Sequence, residues 1–333
     1  MEIAEIAEFL DIRKLPVYVA QINTQIEACF LKTQAATKLP ALRLVKSGGK
    51  RLRSTLVIAT CLSLGGEVTL QVIGAAAAVE LAHLGSLVHD DILDHAAQRG
   101  SLPSIYAKEG IDRAILIGDY MLAAAAHEAA QVSGDIGTVV SEAIMEMCEG
   151  QMRETVDTYN IGRTIHNYQA TIRKKTAALI AAACQVGGLC AEASPLQQKY
   201  LRNYGEAFGM SFQLLDDVLD FLATAEAMGK PVNNDVKEGV YTLPVLLSLA
   251  GKSADKVRAL LDKGSFKPTN YQRLLDILKR DRSFELTLDE VRRHNQAAER
   301  ALQKINAKSS TKTGLIGLPG LYTQQALGKQ TLL

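Results

Sequence analysis

We predict an all-α fold, a single large helical bundle spanning residues 1–333, from three observations. Alanine is abundant, and only 8 of the 333 residues are proline. β-branched residues seldom alternate with polar ones, and long helical stretches are separated by short breaks that Gly or Pro marks. No linker rich in Pro, Gly or Ser divides the chain, and no alternation of strands with helices indicates a parallel sheet.

The breaks between the predicted helices lie near residues 46–50, 64–67, 98–104, 108–110, 133–135 and 228–234. Two predicted helices carry little charge before an acidic phrase, one over residues 72–89 and one over residues 207–215. Residues 176–191 form an apolar run shorter than the ~18 to 20 residues of a membrane-spanning helix, which predicts a buried helix. The segment 308–333 is rich in Gly, Thr and Leu, and fits either a loosely packed tail or a short final helix.

The composition is typical of a globular protein with a large core, since 47% of the residues are hydrophobic and 22% are charged. A formal net charge of +1 gives no overall attraction to nucleic acid or to an anionic membrane, so an anion site must be local. Five cysteines without a CxxC pair predict reduced thiols in a cytoplasmic protein. The N-terminus lacks the basic and then apolar pattern of a signal peptide.

Two acidic phrases interrupt this apolar pattern, "HDDILD" at residues 89–94 and "DDVLD" at residues 216–220. Asp90 and Asp94 are four residues apart, so they share one helical face about one turn, ~5.4 Å, apart. Asp216 and Asp220 repeat this spacing. Like charges at this spacing repel, and a half-buried carboxylate without a partner is costly. The two phrases therefore predict that a cation binds between them.

The donor atoms in these phrases indicate which cation binds. Hard oxygen ligands, without His or Cys arranged for a softer metal, favour Mg²⁺, with Mn²⁺ as the alternative. Mg²⁺ usually takes one or two carboxylates and completes its shell with water and phosphate oxygens. Two facing rows of Asp would thus bind a diphosphate through bridging metals. For a single phrase, a solvated helix end is the alternative interpretation.

Basic residues occur where a diphosphate site would need them. "GGKRLR" places Lys50, Arg51 and Arg53 after a Gly-Gly turn, where a helix start presents cations and backbone N–H groups to a phosphate. Lys175, in "RKKTAAL", and Lys230, in "MGKPVNN", would add positive charge. Each of these lysines alone is better explained as a solvated surface residue than as a ligand, so the prediction depends on their combination.

Taken in order, the motifs resemble those of trans-type isoprenyl diphosphate synthases, the polyprenyl synthetase family. The series covers about residues 40 to 250 and consists of "GGKRLR", "ELAHLGSLVHDDILD", "AILIGDYMLA", "IRKKTAAL", "FGMSFQLLDDVLD", "GKPVNND" and "EGVYTLP". The resemblance implies an all-α bundle around a deep central cavity, usually in a homodimer. It also implies Mg²⁺-dependent head-to-tail condensation of isopentenyl diphosphate with an allylic diphosphate.

The resemblance assigns a role to each matching position. The implied metal ligands are Asp90, Asp91 and Asp94 on the first helix, and Asp216, Asp217, Asp220 and Asp235 in the second half. The residues implied to hold the allylic diphosphate are Arg99, Lys175 and Lys230. The residues implied to hold isopentenyl diphosphate are Lys50, Arg53 and His83. Thr176 and Gln213 would line the path of the allylic cation, and Phe212 would help to form the wall for the incoming alkene.

One position departs from the family pattern. The family usually has two adjacent arginines after the first acidic phrase, whereas this chain has Arg99 followed by Gly100. We favour the ungapped alignment, in which Gly100 replaces the arginine that grips isopentenyl diphosphate, over a one-residue shift of Arg99. Losing one charged contact weakens binding by roughly 1.5 to 3 kcal/mol. We therefore expect either a high KM for isopentenyl diphosphate or compensation by Arg51.

The product length is predicted from the residues below Asp90. At 1.5 Å per residue, Ser86, Gly85 and Ala82 line the wall beneath the metals. Short-chain members of the family usually carry bulky aromatic residues there, so we predict a product longer than fifteen carbons. Met121 on a neighbouring helix is a candidate for a lower floor. The alternative is that Gly85 and Ser86 only permit close helix packing.

Two rival functions remain open at this point. A terpene cyclase would share the helical fold and the Asp-rich metal site, although it has no need for Lys50, Arg53 and His83. A non-catalytic subunit of a heteromeric synthase is the second rival, although a scaffold has no need for two intact acidic phrases. The sequence also leaves open whether the Leu-rich C-terminal end makes a peripheral contact with a membrane.

Overall fold

The computed structural model describes residues 2–100, 102–222, 234–261 and 268–328, and it confirms the predicted all-α fold. The helices are α1 (Ile3–Phe9), α2 (Leu15–Ala28), α3 (Ala35–Lys46), α4 (Leu52–Ser63), α5 (Leu70–Leu93), α6 (Ile105–Glu109), α7 (Ile111–Val132), α8 (Gly134–Val156), α9 (Ile165–Ile172), α10 (Ala178–Cys190), α11 (Pro195–Leu222), α12 (Asn234–Lys237), α13 (Leu243–Leu249), α14 (Ala254–Leu260), α15 (Pro268–Arg280), α16 (Ser283–Gln303) and α17 (Ser310–Gly328). A π-helical turn, Arg173–Ala177, joins α9 to α10. Strands β1 (Gln98–Arg99) and β2 (Leu102–Pro103) form a small antiparallel hairpin.

The chain packs as two compact units. Unit 1 consists of Met1–Met145, Leu179–Gly205 and Glu299–Leu318, and unit 2 consists of Glu146–Ala178, Glu206–Ala298 and Pro319–Leu333. The first acidic phrase lies in unit 1 and the second in unit 2. The assignment of residues 1–333 to a single domain stays a prediction.

Helix α5 is the main core helix of unit 1. Thr69 caps its N-terminus by accepting a hydrogen bond from the Val72 backbone N–H at 3.4 Å. The helix is long and apolar enough to cross a membrane, but 78% of its most apolar window is buried inside the protein, as in a core helix. It packs closely on α7, because a Cβ atom on Gly85 would lie 3.2 Å from the Gly118 carbonyl oxygen. A buried ion pair, 3.1 Å between Arg51 Nη1 and Glu80 Oε1, ties the start of α4 to α5.

Helix α11 supplies the core of unit 2 from Met210 onward. Leu214, Leu215 and Val218 are buried and pack with residues of α9, α13, α15 and α16. They recur at three- and four-residue spacing, which is the pattern of one buried helical face. The second acidic phrase is therefore carried by a helix whose remaining side chains form the core.

The C-terminal segment forms a helix, which is one of the two alternatives that its sequence allows. Residues Ser310–Gly328 are helical, and Leu315 and Leu318 are fully buried in unit 1. The Tyr204 hydroxyl donates a hydrogen bond to the Leu315 carbonyl oxygen at 2.7 Å. Beyond Leu318 the same helix belongs to unit 2. The described part of this segment is thus packed rather than loose.

Candidate active site

The three aspartates of the first phrase have different environments. Asp90 is half-buried, Asp91 is only 2% exposed, and Asp94 is exposed where α5 ends. Asp91 accepts a hydrogen bond from Arg99 Nε at 3.0 Å. Burial raises the pKa of Asp91, and the Arg99 guanidinium opposes this rise. The structure thus separates one buried, arginine-bound carboxylate from two that reach the surface of unit 1.

Arg99 lies on β1 and is held close to α5. Besides its contacts with Asp91, its Nη2 donates to the Leu87 carbonyl oxygen at 3.4 Å. The next residue, Gly100, has φ +61°, and a Cβ atom there would have no neighbour within 4 Å. Glycine suits this backbone conformation, which most other residues adopt at a cost. The position beside Arg99 has open space around it but carries no cation.

The residues predicted to hold isopentenyl diphosphate lie where α4 meets α5. Lys50 is exposed and follows Gly48 and Gly49, both with positive φ. Arg53 Nη1 lies 3.1 Å from His83 Nε2. Burial lowers the pKa of His83 well below its ordinary value, and the Arg53 and Arg99 cations lower it further. A guanidinium can only donate, so Nε2 accepts, and the proton of the neutral ring is assigned to Nδ1.

The expectation that Arg51 compensates for Gly100 is wrong. Arg51 is only 5% exposed and forms the ion pair with Glu80. Its Nη2 donates to the Val45 carbonyl oxygen at 2.6 Å, and its Nε donates to Asn23 Oδ1 at 3.1 Å. Each nitrogen of the guanidinium therefore has a partner inside unit 1. Arg51 stabilises the turn into α4 and does not present its charge to a ligand.

The four residues assigned to product length lie on α5 and α7 of unit 1. Ala82 and Met121 are fully buried, and Ser86 is half-buried one turn before Asp90. Gly85 faces α7, since a Cβ atom there would lie 2.9 Å from Leu122 Cδ2. The close-packing alternative therefore accounts for Gly85. Ser86 remains the member of the set at which a larger side chain tests the product-length hypothesis most cleanly.

In unit 2, Asp217 is the centre of a buried hydrogen-bond network. The Tyr168 hydroxyl donates to Asp217 Oδ2, and Gln213 Nε2 donates to Oδ1 at 2.9 Å. The Thr176 hydroxyl in turn donates to Gln213 Oε1 at 2.7 Å. Burial raises the pKa of Asp217 to about 7, although the hydrogen bonds from Tyr168 and Gln213 lower it. The network joins three of the predicted site residues and adds Tyr168.

The other predicted carboxylates of unit 2 surround this network. Asp220 is 5% exposed, whereas Asp216 is half-buried on the same helix. Burial raises the pKa of Asp235 well above its ordinary value, and the charges of Asp220, Asp217, Asp216 and Glu154 raise it further. Asp235 therefore lies close enough to the second phrase for the charge of each of its carboxylates to raise the Asp235 pKa. Burial and the repulsion between like charges both disfavour the ionised form of these carboxylates.

Lys175 and Thr176 are placed by the π-helical turn Arg173–Ala177. Such turns are rare and often occur at functional sites. Gly150 on α8 makes room for this turn, because a Cβ atom there would lie 2.2 Å from the Lys175 backbone nitrogen. The Lys175 ammonium forms an ion pair with Glu154. Lys230, the other lysine predicted to hold the allylic diphosphate, lies outside the described residues.

Phe212 has an aromatic partner that the sequence does not suggest. Its ring stacks on Tyr322 of α17, with 4.9 Å between the ring centroids and 27° between the ring planes. Phe208 meets the same tyrosine edge-on at 6.2 Å. The C-terminal helix thus packs against Phe212, whose role in forming a wall for the alkene stays a prediction.

Three residues of the unit 2 site were missed from the sequence: Glu154, Tyr168 and Tyr322. Tyr168 precedes Lys175 by seven residues, or two helical turns, so the spacing contained a usable signal. Glu154 and Tyr322 carry no such signal, because each is brought to its partner by packing between helices distant in sequence. None of the three belongs to the motifs from which the site was predicted.

The carboxylates fit Mg²⁺ by the chemistry of their donors. Within the described residues, no three His, Cys, Asp or Glu side chains already converge on a point suited to a metal ion. Mg²⁺ does not require such a cage, because it commonly binds through one or two carboxylates together with substrate phosphates. Both units contain clustered carboxylates, whose oxygens are hard donors. Asp90 and Asp94 in unit 1, and Asp216 in unit 2, are the less buried carboxylates of the two phrases and would be the ones to hold metal ions.

Comparisons with known proteins show which family the chain belongs to. The family model described as polyprenyl synthetase matches residues 34–278. Component 2 of the heptaprenyl diphosphate synthase of Geobacillus stearothermophilus is 36% identical over 245 residues, which are 73% of this chain and 75% of that protein. The octaprenyl diphosphate synthase of Escherichia coli is 30% identical over 292 residues, covering 85% of this chain and 88% of that protein.

A solved structure shows the same likeness in three dimensions. The polyprenyl synthase of Caulobacter crescentus, complexed with calcium and isoprenyl diphosphate, superposes with a TM-score of 0.88 at 26% identity. The match covers 95% of this chain and 97% of that one. The fold and the two aspartate-bearing helices define the class as an all-α prenyltransferase. The chain belongs to the polyprenyl synthetase family, which confirms the resemblance found in the sequence.

Proposed function

We propose that the protein condenses isopentenyl diphosphate head-to-tail with an allylic diphosphate in a Mg²⁺-dependent reaction. Family membership supports the reaction class. The observation that carries the proposal is the acidic cluster of unit 2, where Asp216, Asp217, Asp220 and Asp235 lie beside Lys175 and Thr176. The charges of these carboxylates raise the pKa of Asp235, and divalent cations would reduce the repulsion among them. The same cations would bind the diphosphate of a substrate.

The metal would supply Lewis-acid stabilisation of the departing diphosphate. Lys175 would bind that diphosphate with its ammonium, which now pairs with Glu154. Thr176 and Gln213 would face the allylic cation. The Thr176 proton is donated to Gln213, so the Thr176 oxygen keeps its lone pairs for the cation. Leu214, Leu215 and the neighbouring apolar residues exclude the water that would quench it.

In unit 1, His83, Lys50 and Arg53 would bind isopentenyl diphosphate. The neutral His83 ring can donate its Nδ1–H to a phosphate oxygen while Nε2 accepts from Arg53. Lys50 and Arg53 add positive charge, and the preceding Gly-Gly turn leaves the backbone accessible. These groups distinguish a condensing enzyme from a terpene cyclase, which binds one diphosphate substrate.

The direct test supplies the purified protein with Mg²⁺, isopentenyl diphosphate and farnesyl or geranylgeranyl diphosphate. We expect elongated polyprenyl diphosphates, detected by chromatography. Asp216→Asn should lower kcat by about a hundredfold or more, because it removes a carboxylate that would hold a metal ion at the departing diphosphate. Asp255→Asn removes a fully exposed carboxylate of unit 2 and should leave kcat unchanged.

Other products of this assay would contradict the proposal. A cyclic hydrocarbon would indicate a terpene cyclase. Turnover that appears only after a second protein is added would indicate a subunit of a heteromeric synthase. Activity in Asp216→Asn equal to that of the wild type would contradict the role given to the second phrase.

We further propose a product longer than fifteen carbons, because small side chains occupy the helical face below Asp90. Ser86→Phe should shorten the product, since the ring would project from α5 one turn below Asp90. Ser86→Ala is the matched control and should leave the length distribution as in the wild type. Chromatography of the dephosphorylated products measures both. An unchanged distribution in Ser86→Phe contradicts the hypothesis.

A homodimer is the proposed assembly. Ile115 and Leu116 on α7 are 42% and 67% exposed, and a second copy of the chain would cover them. Light scattering should give twice the mass of one chain, and Leu116→Glu should lower it. Leu196→Glu alters a similarly exposed leucine on α11 and should not. A wild-type mass equal to one chain contradicts this assembly.

We also propose a cytoplasmic location. All five cysteines are free in the structure, and burial raises the pKa of the Cys61 thiol to about 11. Inert, reduced thiols of this kind suit a reducing compartment. Fractionation of cells that express the protein, followed by immunoblotting, tests this location, and recovery from a secreted fraction contradicts it.

A further inference from the structure

Arg51 has a backbone conformation that is unusual for a residue with a side chain. Its φ is +46° and its ψ is +37°, which places it in the left-handed region. Residues other than glycine adopt this region at a cost and keep it where surrounding contacts hold them there. Arg51 is the N-cap residue of α4, so its conformation sets the direction in which that helix begins. The contacts that hold Arg51 therefore also fix the start of α4.

Glu80 on α5 makes two contacts with the start of α4. Its Oε1 accepts a hydrogen bond from Arg51 Nη1 at 3.1 Å, and its Oε2 accepts one from the Ser54 backbone N–H at 3.4 Å. The first N–H groups of a helix have no partner within the helix, and the Arg51 side chain does not cap α4. Glu80 is only 3% exposed. One buried carboxylate thus holds a residue on each side of Arg53.

The partner of Arg53 lies on the same face of α5 as Glu80. His83 follows Glu80 by three residues, which places the two side chains about one turn apart. Arg53 Nη1 lies 3.1 Å from His83 Nε2, and both residues are half-buried. The start of α4 is therefore docked on α5 by two arginines, one at Glu80 and one at His83. Arg53 and His83 are proposed to bind a substrate, whereas the buried, negatively charged Glu80 does not contact a diphosphate.

We propose that Glu80 is a positioning residue for isopentenyl diphosphate. Its carboxylate holds Arg51 in the left-handed region. Lys50 directly precedes Arg51 and Arg53 follows it by two residues, so that conformation sets how both cations face the diphosphate of the substrate. The charges of Glu80 and Arg51 balance one another, so the pair acts through geometry and adds no net charge to the site. This inference rests on the proposed condensing function, because it names a residue that prepares the binding of one of the two substrates.

The test is calorimetric titration with isopentenyl diphosphate and no allylic substrate, which measures binding without turnover. The double variant Arg51→Met with Glu80→Met replaces the buried ion pair by apolar side chains, an exchange that proteins often tolerate without losing stability. The methionine at position 51 has no tether in the left-handed region, so the binding-competent turn is less populated and the Kd should rise about tenfold. Arg51→Gly with Glu80→Met should bind within about threefold of the wild type, because glycine adopts that region readily.

A second pair of variants keeps the charge of the carboxylate. Glu80→Asp shortens the side chain, which withdraws the carboxylate from Arg51 and Ser54, and the Kd should rise a few-fold. Glu109→Asp is the matched control, because Glu109 forms a comparable ion pair in unit 1, 3.2 Å from Arg43 Nη2, and it should leave the Kd unchanged. The KM for isopentenyl diphosphate should follow these changes in Kd. The KM for the allylic diphosphate should stay within about twofold of the wild-type value, which a general loss of structure would not produce.

The Tm of each variant separates loss of binding from loss of folding. A folded double-methionine variant that binds isopentenyl diphosphate like the wild type overturns this inference alone. A glycine variant that binds no more tightly than the double-methionine variant, or equal weakening by Glu109→Asp and Glu80→Asp, also overturns it. If the double-methionine variant does not fold, Glu80→Asp decides, and an unchanged Kd overturns the inference. A wild-type protein that binds no isopentenyl diphosphate overturns both this inference and the proposed function.

Discussion

Burial of carboxylates on α11 is the constraint on which the rest of unit 2 depends. Asp217 and Asp220 are nearly inaccessible on a helix whose other side chains form the core. An ionised carboxylate in such surroundings costs several kcal/mol unless hydrogen bonds or opposite charges compensate. Tyr168 and Gln213 donate to both oxygens of Asp217, and its pKa still rises to about 7. The folded protein therefore stores an electrostatic cost that a bound cation can remove.

The elements around Asp217 have unusual local geometry. The π-helical turn brings Thr176 to Gln213, and Gly150 lets that turn approach α8. On the other side of the turn, Lys175 meets Glu154. A chain of hydrogen bonds thus links the buried carboxylate to the side chains that would face the allylic substrate. Changing any link should alter the position of the next one, since such networks act as a unit.

The sequence predicts the parts of the molecule that depend on local pattern. Helical periodicity was sufficient to predict the all-α fold and the helices that carry the acidic phrases. It could not show which neighbour each side chain meets. Gly85 faces α7, and Arg51 turns inward to Glu80, because distant helices pack there. Arg99 reaches Asp91 because the hairpin folds back on α5, a contact that no spacing rule contains.

The same distinction separates the predicted site from the observed one. Asp217 and Lys175 lie in motifs and were found from the sequence. The structure adds Tyr168 as the partner of Asp217, and Glu154 as the partner of Lys175. The departure at Gly100 is visible in the sequence, whereas the buried ion pair that commits Arg51 to Glu80 is not.

The most direct test of this account is the free energy of unfolding of the metal-free protein, measured against pH for the wild type and Asp217→Asn. Because the pKa of Asp217 is raised in the folded state, its contribution to stability is greatest at low pH. That contribution should fall as the pH rises from about 4 to about 7. Over this range the free energy of unfolding of the wild type should fall relative to that of Asp217→Asn by up to about 4 kcal/mol. Mg²⁺ with inorganic diphosphate should restore stability to the wild type at pH 8. A difference that is constant with pH, together with no gain from Mg²⁺, would contradict the account.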